Sequence, residues 1–491
     1  MSRRTPPSLE HLAMQNLLSH PALANSALDD LPMLLFPSLF MEAYIGGHKE
    51  VLKAMVQAWP FPCLPLGDLA QPPDLEIIKA VLDGLDLLLS NKERRNRWKL
   101  QVVDLLGEHP GIWTLGYPAM AQISYPGFPP GELRASPWTG MGEEQPLMIA
   151  MDLTIAHSPK DDLQAFLLQW AWERRERVRL CPRVLEILSD SSSETQKALQ
   201  VVNPDSILEL LVSKLCLGET EKTFAFLLSQ MKKLRILSFC NMCAHLDTSS
   251  SPNFSCSSFQ LGAHLGQLQH LQEVRMKEIV FLGGKLPAIF RSLPPLKDLF
   301  LSSCNLQEAD LRFLSRCPCT RQLKHLWLRN LSMKSFSPEL LRALLEQVAS
   351  TLEILALEKC EITDAQVSAI LPALSQCSKL SSFSFYGNHV FMDTLQSLLA
   401  LMARLGHLNE SIYSPPVESY VATGNLDPDR FFQVLAGLAQ DLRDVVTTPN
   451  KIQICPGFCH LCNYFLYYFL GPDGSWVLRD EEFHNHEALA G

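Results

Sequence analysis

Seven short blocks in this chain share one spacing, and that spacing constrains the fold more than anything else in the sequence. Apolar residues fall at positions 1, 4 and 6, and again near positions 9 and 11. Leu296-x-x-Leu299-x-Leu301-x-x-Cys304-x-Leu306 and Leu352-x-x-Leu355-x-Leu357-x-x-Cys360-x-Ile362 show it in full. Leu380-x-x-Phe383-x-Phe385-x-x-Asn388-x-Val390 fits with aromatic substitutions, and Leu323-x-x-Leu326-x-Leu328 carries Leu331 at position 9. Weaker copies start at Ile207, Leu234 and Leu271. The steps between starts are 27, 37, 25, 27, 29 and 28 residues.

That period is the period of leucine-rich repeats, about 20–29 residues. Positions 4 and 6 of a short strand point the same way, into a core, and positions 3, 5 and 7 point away from it. An Asn or Cys at position 9 can bond backbone groups left unpaired where the strand turns. Between strands lie helical stretches with start signals, such as Ser337-Pro338 and Thr363-Asp364. The expected fold is therefore α/β: a leucine-rich-repeat solenoid, a curved horseshoe with parallel strands on its concave face and helices on its convex face. The 37-residue step contains the Ser-rich stretch Asp247 to Ser258, which reads as an inserted loop.

Outside the repeats the pattern changes. Residues 1–99 read as a helical region, with helices at Leu9 to Leu18, Leu28 to Tyr44, Lys49 to Ala58 and Asp74 to Leu89. Residues 100–200 form an N-terminal cap and linker. They contain a degenerate repeat at Leu100-x-x-Val103-x-Leu105, the Pro/Gly-rich Tyr125 to Gly131, a strand from Pro146 to Ile155 and a helix from Leu163 to Arg175. The repeats proper occupy 201–410. Residues 411–491 supply a C-terminal cap, with a helix from Asp429 to Val446 and a Cys-rich tail.

Composition narrows the function. With 47% hydrophobic residues the chain can bury a large core, and a net charge of −10 lacks the basic excess of a nucleic-acid binder. No apolar run is long enough to span a bilayer; Tyr464 to Leu470 is short, and Met1 to Ser8 does not lead into an apolar segment. The expectation is a cytoplasmic or nuclear protein whose 14 cysteines are mostly buried thiols. No phosphate loop, dinucleotide fingerprint or catalytic triad is visible, so neither an enzyme nor a cofactor is expected.

Several segments carry a family resemblance. Ala54-Met-Val-Gln-Ala-Trp-Pro-Phe-Pro-Cys-Leu-Pro-Leu-Gly67, Lys79 to Asp86 and Arg97 to Leu105 resemble the N-terminal part of the PRAME (preferentially expressed antigen in melanoma) family. Leu374 to Leu380, Phe385-Tyr-Gly-Asn388 and Pro415 to Tyr420 resemble its final repeats and cap. The resemblance implies a substrate receptor of a cullin-2 RING ubiquitin ligase, docked through elongin B/C, with a protein target on the repeats. It also implies, as an alternative, a repressor of nuclear-receptor transcription acting against differentiation and apoptosis, with germ-line expression. A protein-binding inhibitor scaffold similar to ribonuclease inhibitors is a third reading, by fold analogy alone.

Candidate sites follow. An elongin-binding box needs a leading Leu, a small residue four later and an apolar residue four after that; Leu9, Ala13 and Leu17 fit on one helical face. The cullin box fits Leu31, Pro32, Leu35 and Leu39. The alternative for both boxes is a helix that merely caps the solenoid core. For the target-binding face, the odd strand positions give Arg275, Phe300, His325, Trp327, Arg329 and Tyr386, a composition of aromatics and arginines typical of binding hot spots. Partial cover of Trp327 and Phe300 by a neighbouring element is the competing reading. Leu-x-x-Leu-Leu sequences start at Leu31, Leu85, Leu341 and Leu395; those on repeat helices should be buried. Cys455, Cys459 and Cys462, with His484 and His486, contain zinc-ligand types at irregular spacing, and no metal is expected there. The basic clusters Lys92 to Lys99 and Arg174 to Arg177 are interspersed with Glu and read as solvated surface.

Overall fold

The computed structural model describes residues 9–69, 74–90, 98–123, 146–156, 161–188, 192–213, 216–217, 227–244, 264–442, 452–459, 464–471 and 474–481. The chain divides into two compact units, Met1–Ile207 and Leu208–Gly491. The Ser-rich stretch, the Pro/Gly-rich stretch and most of the first basic cluster lie outside the described residues.

The first unit opens with helices α1 (Leu9–Leu18), α2 (Pro21–Ala27), α3 (Phe36–Ile45), α4 (Lys49–Gln57) and α5 (Leu75–Ser90). The helix expected from Leu28 to Tyr44 is interrupted. Pro32 sits at ψ 135, outside the helical region, a short 3-10 turn spans Met33–Leu35, and α3 starts with Pro37 in its first turn. Helices α4 and α5 pack closely because Gly84 has no side chain: a Cβ there would lie 2.6 Å from the Lys53 carbonyl oxygen.

Strands β1 (Cys63–Pro65), β2 (Val102–Asp104), β3 (Leu147–Ala150) and β5 (Val178–Cys181) form a parallel sheet in that order. Strands β4 (Leu153–Ile155) and β6 (Val184–Ile187) pair separately in parallel. The single strand expected from Pro146 to Ile155 is thus two, β3 and β4, which join different partners. Between β4 and β5 lies helix α6 (Asp162–Glu173), capped by the Asp161 carboxylate, which accepts from the Leu163 and Gln164 N–H groups.

The Trp59 segment supplies the aromatic centre of this unit. Trp59 is fully buried, edge-on to Phe40 at 5.1 Å and to Phe61 at 5.4 Å. Its indole N–H donates to the Cys63 carbonyl at 2.9 Å, and the Trp113 indole N–H donates to the Pro65 carbonyl at 2.8 Å. β1 pairs with β2 on one side only and is the edge of its sheet, so the two indoles satisfy carbonyls that burial would otherwise orphan.

In the second unit, strands β7 (Glu209–Ser213), β9 (Ile236–Cys240), β11 (Glu273–Lys277), β12 (Asp298–Ser302), β13 (His325–Arg329), β14 (Ile354–Glu358), β15 (Ser382–Phe385), β16 (Glu410–Tyr413) and β17 (Ile452–Cys459) run parallel in that order. Short strands β8 (Cys216–Leu217) and β10 (Cys243–Ala244) pair with each other. The register reproduces the sequence frame. Glu273, Asp298 and His325 are partners in one row; Arg275, Phe300, Trp327 and Ala356 are partners in the next. Positions 4 and 6, such as Leu299, Leu301, Leu326, Leu328, Leu355 and Leu357, are fully buried.

Strands β9 and β11 to β15 end at the same device. Position 8 adopts positive φ: Asn241, Glu278, Ser303, Asn330 and Lys359 lie at φ 49 to 57, and Gly387 at 78. This left-handed step costs energy for residues with a Cβ. It also turns the N–H toward the next repeat, where Glu278, Ser303, Asn330 and Lys359 donate to Ser302, Arg329, Glu358 and Tyr386 at 2.8–3.0 Å. Position 9 then drops into the core. The Cys360 thiol reaches the carbonyls of Leu328 and Glu358. Asn388 makes four bonds: its Oδ1 accepts from the Cys360 and Ile362 N–H groups, and its Nδ2 donates to Leu357 and Phe385.

Helices α7 (Leu286–Phe290), α8 (Glu308–Leu314), α9 (Pro338–Val348), α10 (Asp364–Leu374) and α11 (Met392–Ala403) connect successive strands and pack against one another in sequence. Their caps bind neighbouring repeats together. Gln366 completes a capping box with Thr363, and its amide also donates to Met333 and Phe336 carbonyls. Buried Asp310 accepts from the N–H groups of Gly284, Leu286 and Gln307.

At the far end, helix α12 (Pro428–Leu442) precedes β17, and strands β18 (Tyr464–Leu470) and β19 (Trp476–Glu481) continue the sheet antiparallel. The described residues of the Cys-rich tail are therefore mostly strand.

Candidate protein-binding surfaces

In the first unit, α1 leaves much of its apolar surface in solvent. Leu9 is 86% and Leu12 47% exposed, and Ala13 is exposed too. Leu17 is half-buried, and Leu18 is the helix's anchor in the core. The elongin-box residues therefore lie on one face, and Leu12, one turn from Leu9, joins them. Sequence reading missed Leu12 because it scored only the four-residue spacing; the i,i+3 neighbour was legible.

The cullin-box residues divide. Pro32 is exposed, Leu31 and Leu35 are half-buried, and Leu39 is fully buried beneath α3. Leu39 is a core residue whatever the rest of the box does. Leu34 between them is 63% exposed.

In the second unit the six residues expected on the sheet's open face are all on strands β11 to β15 or immediately after. Arg275, His325, Trp327, Arg329 and Tyr386 are half-buried, whereas Phe300 is buried. Trp327 and Arg329 cover Phe300: the indole lies 6.3 Å from its ring and the guanidinium 5.9 Å from its centroid. Phe300 thus supports Trp327 from below and offers little contact area of its own.

The charges on this face are paired both along and across strands. The Arg329 Nε donates to Glu358 at 2.7 Å, and Arg275 binds Glu273 at 2.5 Å with Glu209 at 3.7 Å. His325 bonds Asp298 through Nδ1, with Glu353 3.8 Å from Nε2. These pairs restrain the side chains, which lowers the entropy lost when a partner docks. Tyr386 stands apart, against Phe465 and beneath the Lys359 ammonium, its hydroxyl pushed up to about 12 by burial.

Next to Trp327 the middle row becomes small, with Ala356 and then Ser384 in register. The indole therefore stands beside small side chains in its row. Sequence reading of the odd strand positions includes Ser384 but passes over Ala356; aligning the strands by position would have exposed it.

Other sequence candidates are accounted for structurally. Leu341, Leu344 and Leu345 on α9 are buried, as are Leu395, Leu398 and Leu399 on α11, so neither Leu-x-x-Leu-Leu helix is free to enter a receptor groove. Leu85 and Leu88 are buried on α5. Arg174 holds Asp86 through two nitrogens and stacks on Trp170 at 4.6 Å, so it ties α6 to α5. Cys455 is buried, with its thiol pushed up to about 12 chiefly by burial. The Cys459 side chain, Cys462, His484 and His486 lie outside the described residues. Among the described residues no group of three or more His, Cys, Asp or Glu could hold a metal ion. No described helix is long and apolar enough to cross a membrane.

Repeated strand–helix units, a position-8 turn and polar position-9 ladders define a leucine-rich-repeat protein preceded by a helical α/β unit. The chain belongs to the PRAME family: residues 6–113 match the PRAME N-terminal domain and residues 147–473 the PRAME C-terminal domain. It is 40% identical to human PRAME family member 12 over 96% of this chain and 97% of that protein. Human PRAME family member 8 is 39% and member 7 is 38% identical, each over 96% of this chain and 99% of the relative.

Proposed function

We propose that this chain is a non-catalytic substrate receptor of a cullin-2 RING ubiquitin ligase, acting in the cytoplasm or nucleus. Helix α1 docks on an elongin B/C pair, the Leu31–Leu35 turn contacts cullin-2, and the open face of the repeats holds a target protein. Chemistry belongs to the other subunits, and this chain contributes proximity. Effects on transcription, differentiation, proliferation and apoptosis then follow from which target is degraded.

The observation that carries this reading is the outward apolar face of α1. A helix that served only to cap a core would bury Leu9 and Leu12, yet both stand in solvent. Burying two leucines in a partner's groove is worth roughly 3–5 kcal/mol, enough to decide whether a complex survives purification. The competing reading, repression through exposed receptor-box helices, loses support at α9 and α11, whose leucines are in the core.

The test is affinity purification from cells of wild type against a Leu9→Ser, Leu12→Ser double variant. Both positions are exposed, so the variant should fold normally. The reading expects elongins and cullin-2 with the wild type and their loss from the variant. Equal recovery from both, or recovery from neither, would sink it.

A further inference from the structure

Among the described residues, Cys304, Cys360 and Cys377 each bond only to backbone. The Cys304 and Cys360 thiols donate to backbone carbonyls at the position-9 turns, and Cys377 donates to Ala373. Burial pushes these thiols up, to about 11, 12 and 11. Cys317 and Cys319 differ. They flank Pro318 in the turn between α8 and β13, both are buried, and their Sγ atoms lie 2.7 Å apart. That is well inside van der Waals contact and approaches the roughly 2.05 Å of a covalent S–S bond.

The turn that holds them is fixed from several directions. The Cys317 carbonyl accepts from the Gln347 amide and the Thr320 hydroxyl, both at 2.9 Å. The Cys319 carbonyl accepts from the Leu296 N–H at 2.8 Å, and the Cys317 N–H donates to Phe313. Pro318 locks its own φ. The two sulfurs are thus held together without a bond between them. The hydrogen bond from Cys319 draws the Cys317 thiol below its ordinary range, and the same contact, with burial, pushes Cys319 up.

We propose that Cys317 and Cys319 form a reversible dithiol–disulfide site whose oxidant is a hydroperoxide. The Cys317 thiolate attacks the peroxide; its S–O bond forms, the O–O bond breaks, and hydroxide leaves to be protonated to water. The Cys319 sulfur then attacks Cys317 Sγ. The S–S bond forms, the S–O bond breaks, and the departing hydroxide takes the Cys319 proton as a second water. In sum two thiols are oxidised by two electrons and one hydrogen peroxide becomes two waters. The burial favours an oxidant of water's size over bulky disulfides. A dithiol such as dithiothreitol reverses the step by exchange when the turn opens transiently.

The sequence provides its own assay, because trypsin cleaves after Arg316 and Arg321 and isolates residues 317–321. The full chain is treated with stoichiometric hydrogen peroxide, denatured, labelled with N-ethylmaleimide and digested. The expected peptide has lost two hydrogens and takes no label; after dithiothreitol it takes two. In the Cys319→Ser variant, dimedone should capture a sulfenic acid on Cys317, and in Cys317→Ser it should capture none on Cys319. Two labels on the peptide from the folded, peroxide-treated wild type, where the guanidinium-unfolded chain closes the disulfide, would overturn the proposal. Equal dimedone capture in the two variants would do the same. If either variant fails to show a cooperative melt, the wild-type peptide mass alone decides.

Discussion

Asn388→Ala should be among the most damaging single changes in the second unit. Asn388 is 1% exposed and makes four hydrogen bonds to the backbone of its own turn and the preceding one. Alanine leaves the Cys360 and Ile362 N–H groups without their acceptor, and each buried unsatisfied donor costs about 1–3 kcal/mol. The two freed carbonyls matter less, since each keeps a second lone pair. Counting the donors alone gives about 3 kcal/mol, which is roughly a 150-fold shift in the unfolding equilibrium. For a unit of this size it corresponds to a fall in melting temperature of roughly 6–12 °C. Urea unfolding followed by tryptophan fluorescence reads it directly, because Trp327 lies in the same sheet two strands away. Cys360→Ala, which removes a thiol with two weak bonds, should cost distinctly less. A loss under 1 kcal/mol for Asn388→Ala, or a larger loss for Cys360→Ala, would refute the idea that position-9 polar groups lock the turns.

Two further predictions concern the first unit. Leu39→Ala should destabilise by about 2–5 kcal/mol because Leu39 is fully buried, whereas Leu9→Ser should stay within about 0.5 kcal/mol; similar losses in thermal melts would contradict the assignment of Leu39 to the core and Leu9 to the surface. Asp104 is buried, and burial raises its carboxyl above the ordinary value against the opposing Leu106 N–H bond. A raised carboxyl stabilises the fold below the ordinary Asp range, and that contribution is lost as pH rises through the folded value. Asp104→Asn, which keeps the acceptor for Leu106, should therefore be more stable than wild type at pH 7. The gap should close on acidification through about pH 4, and a gap constant with pH would exclude the charge as its cause.

The repeat frame was legible because it is local and periodic. Leucines at positions 4 and 6 must share a face of a short strand, and seven blocks at similar steps can bury those faces only by stacking. The spacing therefore determined the parallel sheet, its register and the rows of Arg275, Trp327 and Arg329. The same reasoning anticipated that position 9 would bond the turn, as Cys360 and Asn388 do. It also anticipated that the leucines of α9 and α11 face inward.

Tertiary structure decided what periodicity leaves open. The prolines at 32 and 37 split one expected helix, and the strand beginning near residue 147 serves two sheets because its halves find different neighbours. Phe300 and Trp327 occupy equivalent positions in adjacent strands, but one is covered by the other and by Arg329. In α1, Leu9 and Leu18 are both leucines in one helix, yet only packing settles that Leu18 is the anchor and Leu9 stands in solvent. The Cys317–Cys319 contact depends on a turn tied down by Leu296 at the start of its own repeat and by Gln347 in the next. A residue's period fixes the face it shares with its neighbours; which face the rest of the chain covers is set by contacts between residues far apart in sequence.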